Sequence, residues 1–191
     1  MKYLLLLCLT ACATLPHVEP QTRDSTQQAQ TTVTVQSYCD GQGGRGTGVI
    51  ISERHVLTAH HVVRCAKIPR VYVTLSNGDR HRVYVTRENT TQDIAKLEIS
   101  HAGRFGLDIA PPKLEPAYYP DENDAACVHV NDGMECGFRL SPNTLALRLR
   151  PGDSGSPVYD NDYLVGLVTR DHPRKNLTII TLITEDWLEG T

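Results

Sequence analysis

Pro151-Gly152-Asp153-Ser154-Gly155-Ser156-Pro157 is the stretch on which the reading of the fold turns. Small residues on both sides of Ser154 let the backbone turn sharply and present a hydroxyl together with neighbouring amides, as an acyl-transfer site requires. Standing alone, the string would read as a Gly-Ser turn between two strands. It does not stand alone. Upstream lie Gly46-Thr47-Gly48-Val49-Ile50-Ile51, then Val56-Leu57-Thr58-Ala59-His60-His61-Val62-Val63, then Asp93-Ile94-Ala95-Lys96-Leu97. An imidazole, a carboxylate and a hydroxyl therefore arrive in the chain order His, Asp, Ser.

Around these motifs the pattern is all-β. From Val33 onward, short runs of β-branched residues are divided by turn formers, and no long segment has a helical period. Candidate strands are Thr32 to Tyr38, Thr47 to Ser52, Val71 to Ser76, Arg80 to Arg87 and Asp93 to Ser100, with Asn77-Gly78 as a turn. After the Pro-rich break from Pro111 to Pro120 come Cys127 to Val130, Glu135 to Leu140, Leu145 to Arg150, Pro157 to Tyr159, Tyr163 to Thr169 and Leu177 to Ile183. Thr184 to Glu189 reads as a short closing helix with Thr184 as its cap. About eleven strands in two groups suit a pair of small barrels better than one sandwich.

In these four motifs the sequence resembles the chymotrypsin-like (trypsin-fold) serine proteases, and among them the short bacterial members related to glutamyl endopeptidases and high-temperature-requirement proteases. The resemblance runs from about Val33 to Trp187. It implies two six-stranded antiparallel β-barrels within residues 33–189, barrel one at about 33–103 and barrel two at about 114–189. It further implies a serine endopeptidase acting on proteins or peptides, with Ser154 as nucleophile, His61 as base and Asp93 as the base's partner. The backbone amides of Gly152 and Ser154 would form the oxyanion hole. No cofactor and no metal are expected. A reading of His55, His60, His61 and Cys65 as metal ligands lacks the paired spacing of a zinc site. A catalytically silent protease fold serving as a binding module is the alternative function.

The family pattern of Thr, two residues, then His selects His61 over His60, which occupies a place where a small residue is usual. His60 is expected to be a partly exposed bystander. No Ile-Val-Gly-Gly segment opens the domain, so activation by a new amino terminus is not expected, and Asp153 should be satisfied by local groups. Six residues before the nucleophile, Arg148 corresponds to the base of the family's primary pocket, where a cation would favour acidic side chains. The alternation from Leu145 to Arg150 reads equally as a strand with its arginines in solvent. Thr169-Arg170-Asp171 corresponds to the substrate-pairing strand and departs from trypsin's Ser-Trp-Gly. Val168 stands where the glutamyl endopeptidases carry a characteristic His.

With 191 residues, 40% hydrophobic and 21% charged, the composition is that of a globular protein and excludes collagen, coiled coil and wholly disordered chains. A formal charge of −3 gives no broad basic field, which argues against a nucleic-acid partner. Six cysteines point to an oxidising compartment. Met1-Lys2 and the apolar run Tyr3 to Leu9 read as a secretory signal, and Leu9-Thr10-Ala11-Cys12 resembles a bacterial lipoprotein signal. Residues 1–11 would be removed with Cys8, Cys12 lipidated, and residues 12–32 left as a flexible tether. The expected location is the periplasmic face of an outer membrane or the cell surface, with oligomeric state left open. Cys39, Cys65, Cys127 and Cys136 allow three pairings. The preferred one joins Cys39 to Cys65 and Cys127 to Cys136, the latter across a turn at Asn131-Asp132. Asn89-Thr90-Thr91 and Asn176-Leu177-Thr178 match a glycosylation pattern but read as turns.

Overall fold

The computed structural model describes residues 25–39, 42–64, 70–100, 103–106, 112–114, 124–172 and 174–188. The signal with Cys8 and Cys12, the start of the tether, and Cys65 lie outside the described residues. Cys39 is held in a disulfide, but its expected partner is among those undescribed positions.

Barrel one contains β1 (Thr32–Cys39), β2 (Gln42–Ile50), β3 (His55–Ala59), β4 (Arg70–Thr74), β5 (Arg80–Asn89) and β6 (Ile94–Ile99), preceded by a helix α1 (Ser25–Thr31) and with a one-turn helix α2 (His60–Val63) after β3. Barrel two contains β8 (Ala125–Val130), β9 (Gly133–Ser141), β10 (Thr144–Ala146), β11 (Pro157–Asp160), β12 (Tyr163–His172) and β13 (Leu177–Leu182). A two-residue β7 (Lys113–Leu114) adds to β12 in parallel. Barrel one closes in the order β1-β2-β3-β6-β5-β4 and barrel two in the order β8-β9-β10-β13-β12-β11, so both follow one antiparallel path. The expected pair of six-stranded barrels is present.

Three apolar clusters explain the architecture. Val33, Val35, Val56, Val71, Val73, Val83 and Leu97 fill barrel one, and Ala126, Val128, Leu145, Val158, Val165 and Ile180 fill barrel two. Between them, Val49, Leu57 and Ile94 from the first barrel meet Tyr159, Leu164, Leu167, Ile183 and Trp187 from the second. Strand alternation makes this possible: Val56 points into barrel one while Leu57 points out to the seam. The Cys127–Cys136 disulfide spans directly paired residues of the β8–β9 hairpin, whose two-residue turn is Asn131-Asp132 as expected.

Four expectations need correction. Residues 25–31 of the supposed tether form α1, and the hydroxyls of Thr31 and Thr32 donate to the carbonyl of Gln28. It docks on barrel two where buried Thr31 lies 3.5 Å from the Tyr159 hydroxyl. β3 was hidden because its run of buried residues, unlike a half-exposed strand, does not alternate. β10 ends at Ala146 rather than Arg150. The closing helix is a 3-10 turn over Glu185–Trp187, and the Thr184 side chain makes no cap hydrogen bond.

Barrel two also buries a charge the pattern did not reveal. Arg139 on β9 is fully buried, donates from Nη1 to the Pro142 carbonyl at 2.9 Å, and places Nη2 3.6 Å from Asp160 Oδ2. Removing one partner of a buried pair leaves an uncompensated charge. Asp160→Ala should therefore lower the unfolding free energy by about 3 to 5 kcal/mol in urea titrations.

Burial pushes the Tyr159 phenol up to about 12 from an ordinary 10.0. Because the folded state resists ionisation, this contribution is complete below pH 10 and is lost as pH rises from 10 toward 12. Thermal melts across that window should show a steep loss of stability, on the order of 3 kcal/mol, that Tyr159→Phe flattens.

Candidate active site

Antiparallel pairing of β3 with β6 brings the end of one strand beside the start of the other, with Ala59 opposite Ile94 as the last register pair. The residues just beyond, His60-His61 and Asp93, are thereby neighbours. Asp93 adopts a left-handed backbone at φ 55, a conformation Asp tolerates better than most residues. The preceding Asn89 side chain sets up this turn by accepting from the amides of Thr91 and Gln92 at 3.0 Å each. Of the two glycosylation-like asparagines, Asn176 is a turn residue at φ 51, whereas Asn89 ends β5 and its side chain caps the turn that follows.

Asp93 binds the histidine segment at three points. Its carbonyl accepts from the His60 amide at 3.0 Å, Oδ1 accepts from the His61 amide at 2.9 Å, and Oδ2 lies 2.7 Å from His61 Nδ1. With the carboxylate as acceptor, Nδ1 carries the proton and Nε2 is left able to accept one. The Asp93 side chain keeps 26% exposure.

His60 and His61 part company because consecutive helical residues point about 100° apart. His60 is buried rather than a partly exposed bystander, and its Nε2 lies 3.4 Å from Glu88 Oε2 on β5.

In the loop from β10 to β11, three backbone donors are engaged. Asp153 N–H bonds to the Arg150 carbonyl, Gly155 N–H to Val168 and Ser156 N–H to Asp153. Among the described residues the amides of Gly152 and Ser154 have no such acceptor. These are the two donors assigned to an oxyanion hole. The loop reaches this shape through left-handed glycines, Gly152 at φ 106 and Gly155 at φ 86. At Gly155 a Cβ would fall 2.0 Å from the Thr47 carbonyl oxygen and 2.5 Å from Thr58 Oγ1, so no other residue fits. Asp153 is satisfied locally, as expected: its Oδ2 accepts from the Arg150 amide at 2.7 Å.

A cleft of about 750 Å³ joins these parts, a size suited to a peptide side chain and its backbone. His60, His61, Asp93 and Ser154 line it, as do Arg64, Thr90 and Thr91 from barrel one and Thr169, Arg170 and Asp171 from barrel two. Arg148 is exposed and is not among the cleft residues, in keeping with the solvent reading and against a place at the pocket base. Sequence reasoning missed Arg64, which carries no motif, and Thr90 and Thr91, whose Asn89-Thr90-Thr91 pattern reads only as a turn. Among the described residues no hydrogen bond joins Ser154 Oγ to His61, a contact that commonly tightens only when substrate is bound.

Among the described residues, β12 borders the cleft with one edge unpaired beyond Val168. β11 pairs along it only as far as Leu167, while β13 follows the opposite edge to His172. A bulge between Val168 and Arg170 turns the strand at Thr169.

Residues 46–167 match the family model described as the trypsin-like peptidase domain. No curated protein is matched significantly by the sequence. Among solved structures, the serine endoprotease from Yersinia pestis is similar with a TM-score of 0.67 at 18% identity, covering 83% of this chain and 62% of that one. The present chain thus spans under two thirds of that protease's length. The Rv3671c protease from M. tuberculosis in its active form gives a TM-score of 0.66 at 18% identity, covering 82% of this chain and 78% of that one. At such identities the two structures speak for the fold, whereas the family match, over more than half the sequence, speaks for descent: the chain belongs to the trypsin-like peptidase domain family.

Proposed function

We propose that this protein is a serine endopeptidase held to a membrane by a lipidated Cys12. The observation that carries the peptidase reading is the joint placement, in one cleft, of Ser154 and the His61–Asp93 pair, with two amides of the Ser154 loop unengaged among the described residues.

Each group has a role fixed by its chemistry. A serine hydroxyl is a weak nucleophile at neutral pH, so His61 Nε2 takes the Ser154 proton as Oγ attacks the peptide carbonyl carbon. The carbonyl oxygen becomes an anion and is met by the Gly152 and Ser154 N–H groups, each such donor contributing about 3 kcal/mol to the transition state. The C–N bond then breaks as His61 returns the proton to the departing amine. Water, activated by the same imidazole, releases the acyl group and restores Ser154. Asp93 holds the ring tautomer and stabilises the imidazolium, while its bond to the His61 amide fixes the segment. The substrate chain adds to the free edge of β12 at Thr169-Arg170-Asp171 as an extra strand.

Covalent labelling by a fluorophosphonate probe at pH 8 tests this reading. Wild type should label, Ser154→Ala and His61→Ala should not, and His60→Ala should still label if it folds. A folded wild type that stays unlabelled would leave the fold as a binding module.

The tether rests on the signal-like Leu9-Thr10-Ala11-Cys12, which acylation would convert to a membrane anchor. Thr14, two residues beyond Cys12, leans toward an outer-membrane address in a Gram-negative cell. Expressed from the full chain, Cys12→Ser should lose labelling by a palmitate analogue and move from the membrane pellet to the soluble fraction. Retention of both signals in the variant would discard the anchor.

A further inference from the structure

Valines fix which residues of barrel one face outward. Val33 and Val35 on β1, Val71 and Val73 on β4 and Val83 on β5 are buried inside the barrel, so the pleat turns their neighbours to the outside. Cross-strand register then sets those neighbours side by side. One row runs Arg45, Gln36, Tyr72, Arg82 across β2, β1, β4 and β5, and the next places Tyr38 opposite Arg70. Arg80 and Tyr84 extend the face along β5, with Arg80 opposite Thr74. The four arginines are exposed, as are Tyr38 and Tyr84, while Tyr72 is half-buried.

The charge on this face has one sign. No Asp or Glu stands in β1 or β4, or in β5 from Arg80 to Tyr84. Among the described residues none of the four arginines forms an ion pair. Two carboxylates at the margin are engaged elsewhere: Asp79 accepts from Asn77 at 2.8 Å, and Glu98, opposite Tyr84, pairs with Arg54 at 2.8 Å. The guanidiniums lie on aromatic rings instead, Arg80 at 4.1 Å from the Tyr72 ring centre and Arg82 at 5.4 Å from that of Tyr84. Arg80 Nη2 also donates to the Tyr38 hydroxyl at 3.2 Å. Such stacking positions a cation without neutralising it. A chain whose formal charge is −3 thus gathers uncompensated positive charge on one sheet face.

We propose that this face docks on the anionic headgroups of a phospholipid leaflet. A broad sheet face matches a planar charged surface, and tyrosines flanked by arginines have the apolar body and polar tip of side chains that settle at a membrane interface. Each arginine near an anionic leaflet tightens binding about fivefold, while the mildly acidic remainder of the surface is repelled, so the attraction also orients the domain. The anchor reading adds reach: from Cys12 to Ser25 the chain extends at most about 45 Å, which keeps the domain beside the leaflet. Ser37, next to Tyr38, donates to the Val62 carbonyl of α2 at 2.7 Å, so the face extends to the barrel end that carries His61. Docking there keeps the cleft within reach of polypeptides lying at the leaflet.

This proposal rests on the anchor reading for its leaflet, yet the face itself should bind vesicles without acylation, so the test uses full-length Cys12→Ser. Its partition into phosphatidylcholine vesicles containing one quarter phosphatidylglycerol is compared, by sedimentation, with that into phosphatidylcholine alone. Taking the ratio cancels any apolar insertion by residues 1–11. The ratio should fall at least tenfold in Arg45→Gln/Arg70→Gln/Arg82→Gln, three exposed sites of which none lines the cleft, and stay within threefold in Arg45→Lys/Arg70→Lys/Arg82→Lys. Raising salt from about 0.1 to about 0.5 M should abolish the preference. A smaller fall in the glutamine variant, a fall beyond threefold in the lysine variant, or a preference that survives salt overturns the proposal. Tighter capture of heparin or of a single-stranded oligonucleotide than of anionic vesicles also overturns it and assigns the face to a soluble polyanion. Failure of palmitate-analogue labelling would remove the anchor alone and leave the vesicle result standing.

Discussion

The amide of Thr47 donates to the carbonyl of Ser154 at 2.8 Å, and the rest of the site depends on that bond. The Thr47 hydroxyl also donates to the Gly152 carbonyl at 3.0 Å and accepts from Asn131 at 3.2 Å, while the Thr47 carbonyl takes the Thr58 hydroxyl at 2.7 Å. One fully buried residue of barrel one thus grips the nucleophile loop of barrel two on both sides of Asp153 and ties in β3, the strand that leads to His61. Apolar burial along the seam supplies most of the cohesion but is non-directional, and a purely greasy seam could slide. Hydrogen bonds sealed from water do not tolerate a slip, because each broken bond leaves an unmatched buried group. Thr47 converts a sticky contact into a fixed register.

The base side of the cleft is fixed by a different device. Asp93 sits in a left-handed conformation that costs energy for a residue with a side chain, and it persists because its surroundings over-determine it. Asn89 closes the approach, β6 continues from Ile94 in register with β3, and the Asp93 carbonyl and carboxylate together hold two successive amides and a ring. Little freedom remains for the imidazole to turn. Such preorganisation matters because a ring that must be re-aimed at each turnover loses part of its catalytic advantage.

Much of this was legible in the sequence, and the reason is steric. Gly155 is dictated by the Thr47 carbonyl, Gly46 by the Val62 side chain and the Ser154 carbonyl, and Gly152 by its positive φ, so the string itself records the geometry. The two barrels and the His61–Asp93 pairing were implied by the resemblance this string helps to carry, and the β8–β9 disulfide was the preferred pairing across the Asn131-Asp132 turn. What escaped reading has weaker local signatures. α1 is a polar segment that becomes ordered by docking Thr31 against Tyr159, a contact 128 residues distant in the chain. The burial of Arg139 depends on Asp160 and the Pro142 carbonyl closing around it, which no period in β9 announces. His60 looked superfluous beside His61, yet the turn of α2 directs it into the protein toward Glu88. An ungapped count pointed to Arg148 for the pocket, but β10 stops at Ala146 and the Arg148 side chain is exposed.

The repeated strand order of the two barrels also explains why the chemistry lies where it does. Both interiors are filled by branched aliphatic side chains and leave no room for a substrate, so a functional site must form where the barrels meet. At that seam each barrel contributes what its local geometry makes best. β3 ends where β6 begins, which can hold a carboxylate against an imidazole, while the β10–β11 connection, tied to β12 through Gly155 and Ser156, can expose the amides of Gly152 and Ser154 and a hydroxyl. Neither half is a site alone. The free edge of β12 lies on the barrel-two wall, beyond the last residue paired with β11, and Asp171 is carried there by the same alternation that sends Arg170 outward. The bulge at Thr169 decides which side chain faces in. A strand without it would exchange the two faces beyond Val168, and Arg170 and Asp171, which both line the cleft, would trade their exposed and half-buried settings.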